Sequence, residues 1–293
     1  MDERSTHLFT LLLRISCFFV FVGRAWQHLF WDAPFRAFFW DQQLLEGLVG
    51  AVTGLAWFEY VTHPATDQFI NALTRGFGVF YLLMALLTLW VRPGMRWAAR
   101  LYNLSAFLLA VLALLYCKEK FYQAAQFFEY ALQFLAPLFF SLALFSTLTK
   151  TRLLFYMKVA VALTFVSHGL YAFGFYPRPG VFLDMTIHIL GVSEEKAHQF
   201  LRFAGILDFI LGVGIFLPRY SQYFLLYATF WGFSTAIART WANVVYDPLS
   251  LDLLHHYLYR TIYRLPHGLV PLVIGLFQAQ VWRDREPVSE ELT

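Results

Sequence analysis

Residues 201–214 read LRFAGILDFILGVG, an apolar, glycine-rich run that holds a single carboxylate, Asp208. Asp208 stands well inside the run, between Gly205 and Gly212. An ionisable group inside a membrane helix is costly, so it normally faces the bundle interior, a partner group or water. Small residues beside it let a second helix approach closely. The stretch therefore predicts a membrane-spanning helix that packs tightly against a neighbour and buries one acid.

The whole chain shares this apolar character. Its 293 residues are 59% hydrophobic and only 14% charged, whereas soluble domains are roughly 45–50% apolar and about 25% charged. This composition argues against a cytosolic enzyme and a disordered chain, and it favours a multi-span protein of the lipid bilayer. The net charge of +3 is too small to indicate nucleic acid as a partner.

Eight segments are long and apolar enough to be membrane spans, since about 20 such residues cross a bilayer core. Backbone groups cannot stay unpaired in lipid, so each segment is predicted to be helical. The segments are 8–31, 69–91, 96–117, 122–148, 153–176, 198–217, 220–243 and 261–282. The predicted fold class is therefore all-α, a polytopic integral membrane bundle of about eight transmembrane helices.

The connections between these segments predict the orientation of the chain. Basic residues gather at the N-terminus and in alternate connections: Arg4, Arg92, Arg96, Arg100, Lys150, Arg152, Arg219, Arg283 and Arg285. Because Lys and Arg mark the cytoplasmic side, we predict that both termini are cytoplasmic and that the protein lies in a bacterial inner membrane. In the outer connections, segment 42–60 is predicted to be a re-entrant or interfacial helix, with a ninth span as the alternative. Segment 249–259 is predicted to be another interfacial helix.

The two halves of the chain share landmarks in the same order. The paired segments are 14–24 and 158–168, 38–41 and 181–184, 75–78 and 202–205, and 133–137 and 267–271. An even number of spans in each half gives both halves the same orientation. We therefore predict two parallel four-helix repeats, residues 1–150 with a long outer loop at 32–68, and residues 151–293 with a short cytoplasmic tail. The alternative is that any two apolar helices align well.

Three stretches of the second half form a recognisable pattern: SHGLYAFG at 167–174, LRFAGILDFILGVG at 201–214 and RLPH at 264–267. They resemble the His-Gly motif, the second helix and the start of the last helix in the DoxX/DoxD superfamily of four-helix membrane proteins. The resemblance implies a membrane-embedded protein associated with redox work, such as the small subunits of thiosulfate–quinone oxidoreductases. The first half departs from this pattern, because Arg24 replaces the histidine and Tyr81 occupies the position of Asp208.

The polar residues inside the predicted spans are the candidates for a ligand site. We predict that His168, Asp208, Arg239 and His267 line a polar pocket open to the outer side, with Arg202 as a further candidate. The histidines are suited to hydrogen-bond quinone carbonyls and, with Asp208, to handle protons, while Arg239 is suited to balance Asp208 or an anionic ligand. Arg202 lies six residues before Asp208 and therefore on nearly the opposite helix face. The alternative is that these residues are structural pairs that lock the helices together.

The function predicted from these features is that of a redox-associated membrane protein that binds a quinone or similar hydrophobic ligand. One alternative is a non-catalytic scaffold or assembly subunit that binds other membrane subunits. Another is a transporter of a small or lipid-like solute. No histidine pair has the spacing typical of haem helix bundles, so haem is less favoured than quinone, and no metal site is predicted. The sequence assigns no catalytic residue.

Overall fold

The computed structural model describes residues 2–283, and these form helices and connections without any strand. The predicted cytoplasmic tail at 284–293, with Arg285, lies outside the described residues. The described part contains fourteen helices: α1 (Glu3–Phe30), α2 (Arg36–Phe39), α3 (Gln42–Thr53), α4 (Trp57–Thr62), α5 (Pro64–Trp90), α6 (Arg96–Glu119), α7 (Ala124–Glu129), α8 (Ala131–Phe145), α9 (Lys150–Phe173), α10 (Gly180–Leu190), α11 (Glu194–Gly214), α12 (Ser221–Val244), α13 (Leu251–Ile262) and α14 (Pro266–Arg283). The predicted all-helical class is confirmed.

Helices occupy all eight segments that were predicted to span the membrane. Within residues 2–283, α1, α5, α6 and α9 are long and apolar enough to cross a membrane. The predicted segment 122–148 is interrupted at Tyr130, which separates the short α7 from α8. Four helices are therefore candidate membrane spans by length and composition, and the number of eight spans stays a prediction.

The connections that are predicted to be outer hold short helices. Segment 42–60 forms α3 and α4, which are separated by Gly54 in the left-handed backbone region at φ 71°. The 12 residues of α3 extend only about 18 Å at a rise of about 1.5 Å per residue, less than the bilayer core of about 30 Å. The alternative of a ninth span is therefore wrong. Helix α13 occupies the predicted segment 249–259, whereas α10 lies in a connection for which the sequence analysis predicted no helix.

The first two long helices of each half pack closely at a glycine. A Cβ atom added to Gly78 of α5 would lie 3.0 Å from the backbone nitrogen of Leu29 in α1. A Cβ atom added to Gly205 of α11 would lie 2.7 Å from the backbone nitrogen of Phe173 in α9. Gly78 and Gly205 are equivalent in the predicted repeat, as are Leu29 and Phe173. This correspondence supports the predicted duplication.

The ends of the same helix pairs that are predicted to be cytoplasmic carry cations at positions that are equivalent in the predicted repeat. Arg14 of α1 donates hydrogen bonds to the carbonyl oxygens of Leu89 (3.1 Å) and Val91 (2.8 Å), at the end of α5. Lys158 of α9 donates to Ser221 Oγ at 2.9 Å, and Ser221 donates in turn to the carbonyl oxygen of Ile215 at the end of α11. Arg14 thus satisfies carbonyls at a helix end directly, whereas Lys158 acts through the Ser221 hydroxyl.

The two halves share one apolar core. Buried residues of α1, α5, α6 and α8 form a continuous cluster with those of α9, α11, α12 and α14. The rings of Phe9 and Phe277, one from each half, meet edge to face with centroids 5.3 Å apart. The residues between α8 and α9, 146–149, are therefore a connection within one packed body.

Candidate functional site

A cavity of about 390 Å³ lies between α9, α10, α11 and α12. Most of its wall is apolar, and α10 contributes Phe182, Met185 and Ile189 to it. The polar side chains on the wall are His168, Thr186, Asp208, Ser234, Thr235 and Arg239. The cavity is therefore an apolar space with a few polar groups, the arrangement typical of sites for small molecules.

Glycines bring His168 and Asp208 to the same wall. Gly169 follows His168 on α9, and a Cβ atom added to it would lie 3.0 Å from both Asp208 Cβ and the carbonyl oxygen of Gly205. Any larger residue at this crossing would separate α9 from α11. The His-Gly pair and the glycine before Asp208 thus position two of the predicted site residues through backbone contact.

Asp208 is buried, with 2% of its surface exposed, and its Oδ1 atom has no hydrogen-bond partner among the described residues. Trp231 lies beside it on the cavity wall. Arg239 does not pair with Asp208, as the sequence analysis had allowed, because its guanidinium faces Glu129 instead, with Nη2 3.6 Å from Glu129 Oε1. Asp208 is therefore a buried polar group with unused hydrogen-bonding capacity at the cavity surface.

Glu129, the last residue of α7, lies at the centre of a cluster of cationic and imidazole groups. Its Oε1 atom is 3.3 Å from Arg264 Nη2, 3.6 Å from Arg239 Nη2 and 3.5 Å from His168 Nε2. Gln126 donates to Oε2 at 3.4 Å. Neither Glu129 nor Arg264 is among the five predicted site residues. Glu129 and Gln133 are one helical turn apart in segment 122–148, so the sequence offers them either as an extension of the pocket or as residues of the membrane interface.

His267 lies behind His168 and outside the cavity wall. The two imidazole centroids are 5.5 Å apart, with ring planes at 59°. Both ring nitrogens of His267 lack a hydrogen-bond partner in the part of the chain that the structure describes. A Cβ atom on Gly232 would clash with the His267 carbonyl oxygen, so this glycine permits the contact between α12 and α14 that sets the position of His267.

Four of the five predicted site residues are therefore close together. His168, Asp208 and Arg239 line the cavity and His267 contacts His168, whereas the side chain of Arg202 is exposed on α11 and does not line the cavity. This placement of Arg202 agrees with its helical spacing from Asp208. The described residues contain no group of three or more His, Cys, Asp or Glu side chains arranged to hold a metal ion.

The polar cluster continues into the first half of the chain. Arg24 of α1 is buried and donates hydrogen bonds to Gln27 Oε1 at 2.7 Å and to Gln133 Oε1 at 2.5 Å. Its guanidinium carbon lies 4.0 Å from the ring centroid of Tyr263, and that of Arg264 lies 4.9 Å from the same centroid. Arg24 and Arg264 are therefore neighbours on one aromatic ring.

Comparison with known proteins identifies the segment that forms the cavity. Residues 162–250 match the model of the DoxX-like family, and every residue that lines the cavity falls within this range. No curated protein and no solved structure matches the chain. The predicted resemblance is confirmed, and together with the apolar helices the match at 162–250 indicates a DoxX-like membrane protein.

Proposed function

We propose that this protein binds a quinone or a similar hydrophobic ligand in the cavity between α9, α10, α11 and α12, as part of a membrane redox process. The observation that supports this most directly is the cavity itself, which is apolar apart from a few polar groups that include His168, Asp208 and Arg239. Ligand pockets are typically clefts of about 300–1,000 Å³ with this composition.

The polar groups on the wall are suited to orient the head of such a ligand. The unpartnered Oδ1 atom of Asp208 carries a desolvation cost that a ligand hydroxyl would offset by donating a hydrogen bond. His168 and Arg239 supply N–H donors for a ligand carbonyl. The apolar remainder of the ligand would then lie against the residues that α10 contributes.

We place the protein in a bacterial inner membrane with both termini cytoplasmic and the cavity toward the outer side, on the basis of the basic connections. The chain would comprise two parallel four-helix repeats, residues 1–150 and 151–293, in contact with lipid and with other membrane subunits. Equivalent glycines and equivalent cations in the two halves support this arrangement.

The test is to purify the full chain in a mild detergent, extract it with organic solvent and identify the bound lipids and quinones by mass spectrometry. Ile189→Trp adds bulk at the cavity wall, and Val213→Trp is the matched control because Val213 is exposed on α11 away from the cavity. We expect the wild type and Val213→Trp to carry a quinone or similar hydrophobic molecule at about one per chain and Ile189→Trp to lose it. A ligand-free protein that co-purifies with other subunits would contradict the proposal and favour a scaffold.

A further inference from the structure

More positive than negative charge is buried beside the cavity. Arg24 and Arg264 are 2% and 5% exposed, and the side chain of Arg239 is 11% exposed. Among the described residues, Arg239 and Arg264 share a single carboxylate, Glu129, and no carboxylate pairs with Arg24. Buried charges are normally paired because desolvation of an unpaired ion is costly. Asp208, the other buried carboxyl at the cavity, forms no ion pair with any of the three arginines among the described residues. Arg239, Arg264 and Glu129 therefore form a group with one more positive than negative charge, and Arg24, beside Arg264 on the Tyr263 ring, adds a cation without a carboxylate.

The other partners of these arginines are neutral. Arg24 donates to two glutamine oxygens and lies over tyrosine rings. Arg264 lies over the rings of Tyr130 and Tyr263. The Nε atoms of Arg24 and Arg264 have no hydrogen-bond partner within the described part of the chain. Rings and amides stabilise a cation but do not cancel its charge, so the excess of positive charge remains.

Of these three arginines, Arg239 is the one that lines the cavity. Its guanidinium carbon lies 5.2 Å from the ring centroid of Phe182 on α10, and its Nη2 atom faces Glu129, which Arg264 also contacts. A negatively charged group that enters the cavity would therefore meet Arg239 first, with the charge of Arg264 behind it. Asp208, on the α11 side of the wall, has no cation beside it, so an anionic group would bind at the Arg239 end of the cavity instead.

We propose that the ligand of this cavity is an acidic amphiphile, a long-chain carboxylate whose head binds Arg239 and whose tail lies against the apolar residues of α10. This inference rests on the proposed function only in that the cavity binds a hydrophobic ligand, and it favours an amphiphile with an anionic head over a quinone, whose head is neutral. A planar guanidinium matches a carboxylate in two-point hydrogen bonding. The apolar wall favours an amphiphile over a small free anion, because a small anion would leave most of the apolar wall without contacts.

The experiment compares three probes on the full chain purified in a neutral detergent: oleate, oleyl alcohol and inorganic phosphate. Trp231 and Trp241 line the cavity, so their fluorescence reports binding, and native mass spectrometry gives the stoichiometry. We expect oleate to bind about tenfold or more tightly than oleyl alcohol, the difference that one charge-assisted contact supplies. Phosphate is expected not to displace oleate at equal concentration.

Arg239→Gln removes the charge at the cavity and is expected to abolish the preference for oleate, whereas Arg239→Lys retains part of it. Arg202→Gln is the matched control, because this arginine is exposed on α11 and does not line the cavity. The comparison of probes on the wild type tests the inference even if Arg239→Gln does not fold.

Three results would overturn the inference, and they are distinguishable. Equal affinity of the wild type for oleate and oleyl alcohol would exclude an acidic head while leaving the proposed function intact. Binding of neither probe would overturn the inference alone, because a bound quinone is tested separately by the extraction experiment of the proposed function. Displacement of oleate by equimolar phosphate would show that the site binds a free anion and that the apolar wall plays no part.

Discussion

The two halves of the chain place different polar pairs at positions that the predicted repeat makes equivalent. In the first half, Arg24 and Gln133 are joined by a 2.5 Å hydrogen bond. In the second half, the equivalent residues are His168 and His267, whose ring centroids lie 5.5 Å apart. His168 Nε2 and both ring nitrogens of His267 have no hydrogen-bond partner among the described residues. A hydrogen bond joins the first pair, although Arg24 Nε and Gln133 Nε2 have no partner among the described residues, whereas no hydrogen bond joins the two histidines there.

The same contrast holds one helix further along the chain. Tyr81, at the position equivalent to Asp208, is 1% exposed and packs against the rings of Phe21 and Phe77, with centroids 6.3 Å away in each case. Asp208 faces the cavity. A position filled by an aromatic ring in one half thus has a carboxyl group beside empty space in the other. A buried polar group whose contacts lie within the protein stabilises the bundle, whereas Asp208 Oδ1, without a partner among the described residues and beside a cavity, is available to a ligand.

The largest effect is expected from Glu129→Gln, because Glu129 joins α7 of the first half to the cations of the second. Removing the carboxylate leaves Arg239 and Arg264 without a counter-ion, and breaking a buried ion pair in this way costs about 3–5 kcal/mol. Chemical unfolding in detergent micelles measures the loss. Glu195→Gln, at an exposed position of α11, is the control, and similar stabilities for the two variants would contradict a role for Glu129 in joining the halves.

Arg24→Ala tests whether the first-half cluster is structural. The substitution leaves a space beneath the Tyr263 ring and removes the donor to Gln27 and Gln133. Together these losses should lower the free energy of unfolding by about 2–4 kcal/mol. Arg75→Ala, at an exposed position of α5, should change stability by less than about 0.5 kcal/mol. Thermal unfolding and membrane yield are the measurements. An Arg24→Ala protein of normal stability that loses its bound ligand would assign Arg24 to the site instead.

Glycine substitutions test whether the halves pack alike. Gly78→Ala and Gly205→Ala each force a Cβ atom against the backbone of the adjacent helix, and overpacking of this kind costs about 1–3 kcal/mol. Gly76→Ala meets nothing within 4 Å and should gain up to about 1 kcal/mol from helix propensity. If the unfolding free energy falls for Gly205→Ala but not for Gly78→Ala, the two helix pairs are not equivalent.

Asp208→Asn should have the smallest effect on stability. Its Oδ1 atom has no hydrogen-bond partner among the described residues, and the amide oxygen of Asn can still accept a hydrogen bond from Trp231, which lies beside it. The change in unfolding free energy should therefore stay within about 1 kcal/mol. Oleate affinity should stay the same, because the acidic head binds Arg239 and not Asp208. Poor accumulation of Asp208→Asn in the membrane would instead assign Asp208 to helix packing and weaken the contrast with Tyr81.

The sequence alone predicted the properties that depend on residues close together in the chain, namely helix positions, helix faces and family motifs. The apolar segments predicted helices at all eight positions, and the spacing of Arg202 from Asp208 placed them on different helix faces, as observed. The His-Gly pair and the glycine-rich run around Asp208 were sufficient to recognise the family that residues 162–250 match. These properties are local because each helix must satisfy its own backbone hydrogen bonds in lipid.

Only the tertiary structure decided which polar groups meet. Glu129 and Arg264 are 135 residues apart in the sequence, with Arg239 between them. Nothing in this spacing predicts that the three side chains form one cluster. The helix α10, in a connection without a predicted helix, closes one side of the cavity. The sequence by itself determined that the chain is a helical membrane protein with buried polar residues. The contacts between helix faces, set by glycines and close packing, decided that some of these residues pair while Asp208 faces open space.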